Sequence, residues 1–210
     1  MALSGARKDS EESDDDFSSA GSWVERFLAS ESGAFLCEVS EDYILDKFNL
    51  VGLPKEVPRF EKAYETVACA SECSESLFPR YEKEAKLLYG LVHARYILTA
   101  EGLERMKEKY RRSEFGVCPR VLCSRQRVLP CGQSNKPGKH RVSLYCPLCK
   151  DIYSAPTSSL DGAYFGKTFP SLFFMTHPDA GLPERPERFV PTVFGFELAT
   201  DAEKAAGGIQ

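Results

Sequence analysis

Two pairs of closely spaced cysteines constrain this chain more than any other feature of its sequence. Cys118 and Cys123 form the first pair, Cys146 and Cys149 form the second, and 22 residues (124–145) separate them. Four thiolates in this spacing are the ligand set of a structural zinc site, in which each pair makes a tight turn under a tetrahedral ion. A proline directly after Cys118 and after Cys146 favours such turns. The pattern predicts a four-cysteine zinc ribbon with one structural Zn²⁺ per chain.

Two other interpretations of these cysteines are two disulfides or four scattered buried thiols. No signal peptide pattern precedes them, so we expect thiols that stay reduced, which favours the metal. Four thiolates close the coordination sphere and leave no position for an activated water, so the metal would be structural and a zinc hydrolase is disfavoured. Turn signals lie at 130–132 and 136–138. The mainly apolar stretches 128–129 and 142–145 are predicted to form short strands between the two cysteine turns, or knuckles.

The composition is that of an ordinary globular protein. Hydrophobic residues make up 42% of the 210 residues and charged residues 28%, and no run of about 18 apolar residues suggests a membrane span. We expect an α+β fold with an all-helical N-terminal domain, a small four-cysteine zinc-ribbon β domain and an extended C-terminal segment. The expected boundaries are a disordered acidic tail at 1–21, helices over 22–110, the ribbon over 111–160, an aromatic turn and a hairpin over 161–198, and a disordered tail at 199–210.

Apolar residues at helical intervals predict several helices before the cysteines. Ser22 with Glu25 three residues later is a capping box, and Ser40 is positioned to cap a second helix. Further helices are expected over 59–70, over 81–97 as the central buried helix, and over 103–109, with Gly102 closing the central one. After the ribbon we expect a polar connection over 153–161. The apolar run 169–175 must be buried against the helices, a second subunit or both, and Gly195 between two phenylalanines suggests a hairpin tip.

Several cysteine and histidine side chains are expected to have a structural role or have no assigned role. Cys37 and His93 lie in apolar runs and are expected to be a core thiol and a hydrogen-bonded core histidine. Cys69 and Cys73 are four residues apart, which leaves a second metal site open as a weaker alternative. Cys131 has no assigned role. The chain has no Gly-rich phosphate loop with a following lysine, no His-Arg-Asp loop and no Asp-Phe-Gly motif, so we expect no kinase activity.

The sequence resembles the regulatory (beta) subunit of casein kinase II. The likeness rests on the cysteine runs 118–123 and 142–149, and on further blocks in the family's order. These blocks are 33–39, 41–50, 88–99, 161–166 and 194–196, and together they span roughly residues 22 to 198.

The resemblance implies a non-catalytic regulatory subunit present in cytoplasm and nucleus. Such subunits form a zinc-dependent homodimer that holds two catalytic (alpha) subunits, stabilises them and modulates their choice among kinase substrates; other regulatory proteins are further expected partners. The resemblance assigns catalytic-subunit contacts to Phe194, Phe196 and Leu172. Relatives carry an acidic loop near residues 70–80 that is linked to polyamines, but this chain has only Glu72 and Glu75 there, so that response is not carried over.

The N-terminal segment contains candidate phosphorylation sites. Ser13 precedes Asp14, Asp15 and Asp16, and Ser10 precedes two glutamates, which is the acidic context that casein kinase II prefers. The resemblance also implies a phosphorylated serine cluster at this end. The alternative is an acidic tail that is never modified.

Charge is distributed unevenly along the chain. The formal net charge is −4, yet residues 111–153 contain nine basic and two acidic side chains, a balance of +7. Such an island attracts anionic partners, although it can equally be a solvated face. The alternative function is therefore a nucleic-acid-binding zinc ribbon, disfavoured by the acidic remainder of the chain and by the lack of aromatic residues among the basic ones.

Overall fold

The computed structural model describes residues 22–31, 33–69, 78–155, 159–180 and 189–198. The predictions for the two tails, including Ser10 and Ser13, lie outside the described residues. The same holds for most of the loop at 70–80, with Cys73, Glu72 and Glu75.

The described residues form helices and two small antiparallel sheets, a mixed α+β fold as predicted. The helices are α1 (Trp23–Ala29), α2 (Glu41–Leu45), α3 (Phe60–Ala68), α4 (Phe78–Tyr96), α5 (Ala100–Arg111) and α6 (Phe169–Thr176). The strands are β1 (Leu129–Cys131), β2 (Ser143–Tyr145), β3 (Ile152–Ser154), β4 (Thr192–Val193) and β5 (Phe196–Glu197). Strands β1, β2 and β3 form one sheet in that order, and β4 pairs with β5.

The capping box predicted at the first helix is confirmed. The backbone N–H of Glu25 donates to the Ser22 hydroxyl at 3.2 Å, and the Ser22 N–H donates to the Glu25 carboxylate at 2.7 Å. These two bonds satisfy donors that the first turn of a helix otherwise leaves unpaired. Ser40 occupies the capping position of α2 as expected, although its side chain makes no capping hydrogen bond.

The helix α4 is the centre of the helical part, as predicted. Its residues Leu88, Tyr89, Val92 and Tyr96 are buried, and α3 packs along it. The rings of Trp23 and Phe27 contact the ring of Tyr89, with centroid distances of 6.2 and 5.8 Å. Aromatic edge contacts of this kind add to the burial of apolar area, so α1 is fastened to α4.

The prediction that Gly102 closes the central helix is wrong. Helix α4 ends at Tyr96, and the hydroxyl of Thr99 accepts the Gly102 N–H at 3.2 Å to start α5. Gly102 therefore lies inside α5. A Cβ at this position would lie 2.1 Å from the carbonyl oxygen of Tyr96, so the glycine permits two helices to meet closely rather than ending one.

The cysteine-rich part has one more strand than the sequence predicts. The polar connection expected over 153–161 begins as a strand instead, because Ile152–Ser154 pairs with β2, with Ile152 opposite Tyr145. The sequence does not reveal this strand because three residues are too short to show alternation, and its outer side chains are exposed. Pairing with β2 brings the hydroxyl of Tyr153 close to the cysteines.

The apolar run before the C-terminal segment forms helix α6. Phe169 and Phe173 are buried, and the ring of Phe173 lies edge-on to the ring of Tyr110 on α5 at 5.4 Å. The expectation that this aromatic surface is covered by the helical part is met at Tyr110, and β1 also packs against α6. Within the described part of the chain, no helix has the length and apolar character needed to cross a membrane.

Candidate functional site

The first cysteine pair lies in a knuckle built from backbone hydrogen bonds. The Cys118 N–H donates to the Gln126 carbonyl at 2.7 Å, and the Gln126 N–H donates to the Cys123 carbonyl at 2.8 Å. Ser124 and Arg125 both adopt positive φ, 47° and 59°, which reverses the chain directly after Cys123. Both sulfurs of this pair are thus held on one side of a tight turn.

The second pair is held in the same manner. The Cys146 N–H donates to the Asp151 carbonyl at 3.0 Å, and the Lys150 N–H donates to the Cys146 carbonyl at 2.9 Å. Lys150 takes positive φ (60°) directly after Cys149, matching the reversal in the first knuckle. The predicted tight turns at both cysteine pairs are therefore present.

The two knuckles bring four sulfurs together. The Sγ atoms of Cys118, Cys123, Cys146 and Cys149 all lie within 4.8 Å of one another, and those of Cys118 and Cys149 are 3.9 Å apart. A tetrahedral ion with metal–sulfur bonds of about 2.3 Å requires sulfurs about 3.8 Å apart. The spacing and the donor set therefore fit a thiophilic ion in a closed four-sulfur site. In the described residues this is the one cluster of three or more potential metal ligands.

The surroundings of the second cysteine pair shift the pKa values of its two thiols in opposite directions. Burial raises the pKa of the Cys146 thiol, although the N–H groups of Cys149 and Leu148 point at its sulfur. Burial also opposes ionisation of Cys149, but hydrogen bonds from the Tyr153 hydroxyl and the Asp151 N–H outweigh it and lower the pKa of that thiol to about 7. Donors aimed at sulfur favour the thiolate that binds metal.

Tyr153 is a supporting residue that the sequence analysis missed. Its hydroxyl oxygen is 3.3 Å from the Cys149 sulfur. A tyrosine four residues after the last cysteine is visible in the sequence, but its orientation depends on β3, which the sequence does not predict.

The remaining described thiols stand apart from the cluster. Cys131 is buried in β1, and burial raises its pKa to about 11. Cys37 lies 3.5 Å from His93 Nε2, yet burial raises the pKa of its thiol to about 12 and lowers the pKa of His93 to about 4. Both groups are therefore neutral near pH 7, which is the reverse of an activated cysteine–histidine pair. The prediction of two core residues is confirmed.

A strongly exposed hairpin lies near the end of the described chain. Thr192 pairs with Glu197 and Val193 with Phe196, and the two turn residues, Phe194 and Gly195, have φ of 52° and 85°. Positive φ at both positions is typical of a type I′ turn, the tight connection that fits the twist of two strands. The predicted hairpin tip at Gly195 is confirmed.

The three residues assigned to catalytic-subunit contacts differ in exposure. Phe194 is 97% exposed and Phe196 is 77% exposed, so both rings project into solvent from the hairpin. Leu172 lies on α6, half-buried and packed against the core. The hairpin therefore offers free apolar surface, whereas Leu172 offers only part of a side chain.

A helical unit, two knuckles that bring four cysteine sulfurs together and an exposed hairpin define an α+β protein with a candidate metal ribbon. Residues 22–197 match the model of a family described as casein kinase II regulatory subunit. The chain is 44% identical to casein kinase II subunit beta of Schizosaccharomyces pombe, over 84% of this chain and 78% of that protein. It is 43% identical to casein kinase II subunit beta' of Drosophila melanogaster, over 92% and 91% of the two chains.

A third relative, casein kinase II subunit beta' of Saccharomyces cerevisiae, is 40% identical over 86% of this chain and 74% of its own length. The chain belongs to the family of casein kinase II regulatory subunits, which are non-catalytic regulators of the kinase. The resemblance found in the sequence is thereby confirmed, and so is the expectation that the chain is not itself a kinase.

Proposed function

We propose that this chain forms a zinc-dependent homodimer that holds two casein kinase II catalytic subunits, stabilises them and modulates their substrate selection. Family membership implies partnership with the catalytic subunit. The observation that supports direct contact with the catalytic subunit is the conformation of Phe194 at the tip of the hairpin.

Phe194 contributes little to the stability of its own chain. Its ring is almost fully exposed, and its φ of 52° lies in the left-handed region, which costs a bulky residue about 1–2 kcal/mol relative to glycine. A strained, exposed aromatic residue is best explained by a partner that covers it. Phe194 and Phe196 are thus two aromatic anchors for a hydrophobic groove on the catalytic subunit, and Leu172 on α6 extends the contact. Buried aromatic anchors dominate the affinity of compact interfaces.

Zinc is the metal that the four thiols fit best. A closed set of four sulfurs is typical of structural Zn²⁺, which has no redox chemistry and accepts tetrahedral geometry. Cys118, Cys123, Cys146 and Cys149 would hold the ion. The ion would supply folding free energy to a ribbon whose strands have three residues each and bury little apolar area.

Self-association through the ribbon is supported by apolar side chains exposed beside the metal centre. Val121, between the first two cysteines, is 89% exposed, and Ile152 on the edge strand β3 is half exposed. Large apolar side chains exposed on a small module favour an interface. Covering these residues in a dimer would also shield the metal from solvent.

The chain's modification, location and further partners are proposals drawn from its family. Ser13, and to a lesser extent Ser10, would be phosphorylated by the associated kinase because of the acidic residues that follow them. The assembled kinase would act in cytoplasm and nucleus, and kinase substrates and other regulatory proteins would bind the assembly.

Native mass spectrometry of the full chain tests the proposal directly. Alone, the chain should give a dimer with one zinc per subunit; mixed with a casein kinase II catalytic subunit, it should give a complex of two and two. A zinc-bound monomer that does not associate with the catalytic subunit would overturn it.

A nucleic-acid-binding role is the second candidate, and one observation favours it. Several exposed basic side chains between the first and last knuckle cysteines, among them Arg125, Lys139 and Arg141, make no ion pair with any described residue. If this role were correct, the chain should bind duplex DNA or RNA with an affinity that falls steeply with salt.

A further inference from the structure

A loop between β1 and β2 is fastened to the turn that precedes α6. The Lys167 N–H donates to the Asn135 side-chain oxygen at 2.9 Å, the Gly162 N–H donates to the His140 carbonyl at 2.9 Å, and Arg141 forms a β-bridge with Asp161. The Gly132 N–H adds a further bond to the Gly166 carbonyl at 2.9 Å. Residues 133–141 and 161–167 therefore form one surface, called here the basic platform.

The basic platform presents several positive charges to solvent. Lys136, Lys139, Arg141 and Lys167 are all exposed, as is His140, and none of them forms an ion pair with a described residue. The one carboxylate of the platform, Asp161, accepts the backbone N–H groups of Gly138 and Ala163. Four permanent positive charges thus lie on one braced surface with a single negative charge.

The basic side chains of Lys107 and Lys109 on helix α5, and of Arg112 directly after it, are paired with carboxylates. Lys107 is 3.2 Å from Asp179, Lys109 is 2.6 Å from Glu114, and the guanidinium of Arg112 is 2.9 Å from Glu114. The carboxylates come from Glu114, just after α5, and from Asp179, after α6. The basic platform instead has four cations without such partners among the described residues on one hydrogen-bonded surface, and this concentration of charge points to an anionic ligand from outside the described fold.

We propose that the basic platform binds the acidic segment of residues 9–16 of this same chain or of its dimer partner. This segment has six carboxylates in eight residues: Asp9, Glu11, Glu12, Asp14, Asp15 and Asp16. The negative charge of this segment complements the positive charge of the basic platform. No other stretch of eight residues in the chain has as many carboxylates. The surface holds isolated charges rather than an apolar groove, so it fits an extended acidic peptide.

The segment is long enough to reach the platform. Twelve residues lie between Asp9 and Ser22, where α1 is capped, and an extended chain over the thirteen Cα-to-Cα steps between them spans about 45 Å. The radius of gyration expected for a compact chain of this size is about 17 Å. Covalent attachment raises the effective concentration of the segment to the millimolar range, so weak individual ion pairs suffice.

Docking of the segment would respond to phosphorylation. A phosphate on Ser13 or Ser10 adds about −1.5 to −2 charges beside the existing carboxylates. Phosphorylated chains should therefore hold the segment on the basic platform more tightly. The inference itself does not rest on the proposed kinase role, since the unmodified segment already has the complementary charge.

Zero-length crosslinking of the full chain tests the proposal. A carbodiimide joins a carboxylate to a lysine amine only where the two are in contact, and mass spectrometry then locates the amide bond. Crosslinks from residues 9–16 should involve Lys136, Lys139 or Lys167 and exceed those to the exposed Lys55 and Lys83 by at least about fivefold. They should fade as salt rises from about 0.1 M to about 1 M, because the screening length falls from about 10 Å to about 3 Å.

Mixing isotopically light and heavy chains tells whether the segment binds its own subunit or the partner.

The matched variants are Lys136→Glu with Lys139→Glu on the platform, and Lys55→Glu with Lys83→Glu as a control. All four side chains are exposed and none forms an ion pair with a described residue, so both pairs should fold normally. The platform pair should remove the residual crosslinks at Lys167, whereas the control pair should leave the platform crosslinks unchanged. Crosslinks spread evenly over all exposed lysines would overturn the proposal. Binding of duplex RNA at the platform, lost in the platform pair while residues 9–16 form no crosslinks there, would also overturn it. Neither result would affect the dimer or the two-and-two complex seen by native mass spectrometry.

Discussion

His93 donates a hydrogen bond from its ring Nδ1 to the carbonyl oxygen of Tyr164, 2.8 Å away, and this bond fastens the central helix α4 to the turn that precedes α6. The tautomer follows from the other side of the ring, where Nε2 accepts the Cys37 N–H at 3.1 Å. The ring is fully buried and also meets Phe165 edge-on at 5.3 Å. A neutral histidine thus connects three separate parts of the chain.

Stability should fall in mild acid because of His93. Burial lowers the pKa of His93 from 6.5 to about 4, so the unfolded chain binds its proton at a higher pH than the folded chain does. The contribution of neutral His93 to the free energy of unfolding is present in full above about pH 6.5. It is lost as the pH falls toward 4, by about 3 kcal/mol in total. Urea unfolding of the wild type and of His93→Gln at several pH values measures it. The stability gap between the two proteins should narrow toward pH 4; a constant gap would contradict the assignment.

Gly90 should not tolerate alanine, although alanine is the better helix former. A Cβ at Gly90 would lie 2.3 Å from the ring of Tyr164. The clash should exceed the propensity gain of about 1 kcal/mol and leave Gly90→Ala less stable by about 1–2 kcal/mol. In a Tyr164→Ala background the ring is absent, so the same change should become stabilising. Thermal unfolding of the four proteins completes the cycle, and equal effects in both backgrounds would exclude this contact as the cause.

Loss of one knuckle cysteine should abolish both metal binding and dimerisation. Cys118→Ser or Cys146→Ser removes one of four sulfurs that share a closed site, and the remaining three hold Zn²⁺ poorly. Elemental analysis and sedimentation measure zinc content and mass. The control is Cys131→Ser, a buried cysteine outside the cluster, which should keep one zinc and the dimer. A cysteine variant without zinc that remains dimeric would refute the ribbon-mediated dimer.

Phe196→Ala should weaken binding of the catalytic subunit by about 2 kcal/mol or more, because it removes an aromatic anchor from the interface. The side chain is exposed in the free hairpin, so the fold and the dimer should be unaffected. Titration calorimetry measures the affinity. Phe48→Ala, at a similarly exposed phenylalanine of the helical part, should leave affinity unchanged. Equal losses in both variants would argue against the hairpin as the docking element.

Ser13 should acquire phosphate when the chain is incubated with the catalytic subunit and ATP. Three aspartates follow it directly, whereas Ser4 is followed by Gly5, Ala6 and the basic Arg7 and serves as an internal control. Mass mapping of the N-terminal peptide should place most of the phosphate on Ser13 and less on Ser10. Phosphate on Ser4 alone would contradict the acidic-context argument.

The cysteine spacing and the capping box are readable from the sequence because each is a local pattern with one dominant structural solution. The start of α5 is not. A glycine at position 102 is typical of a helix end. Its actual role is to make room for the Tyr96 carbonyl, a contact between two helices that the sequence does not show. Strand β3 is hidden because its three residues gain their conformation from pairing with β2. The support that Tyr153 gives to Cys149 depends on that pairing and is equally hidden.

Tyr110 links the first knuckle of the cysteine cluster to helix α6. Its hydroxyl accepts a hydrogen bond from the Gln126 side chain at 3.0 Å, while the Gln126 carbonyl accepts the Cys118 N–H within the first knuckle. The same ring supports Phe173 on α6. One side chain therefore contacts both the first knuckle and α6. A shift of the first knuckle would move a hydrogen-bond partner of Tyr110 and so disturb the ring against which Phe173 of α6 packs.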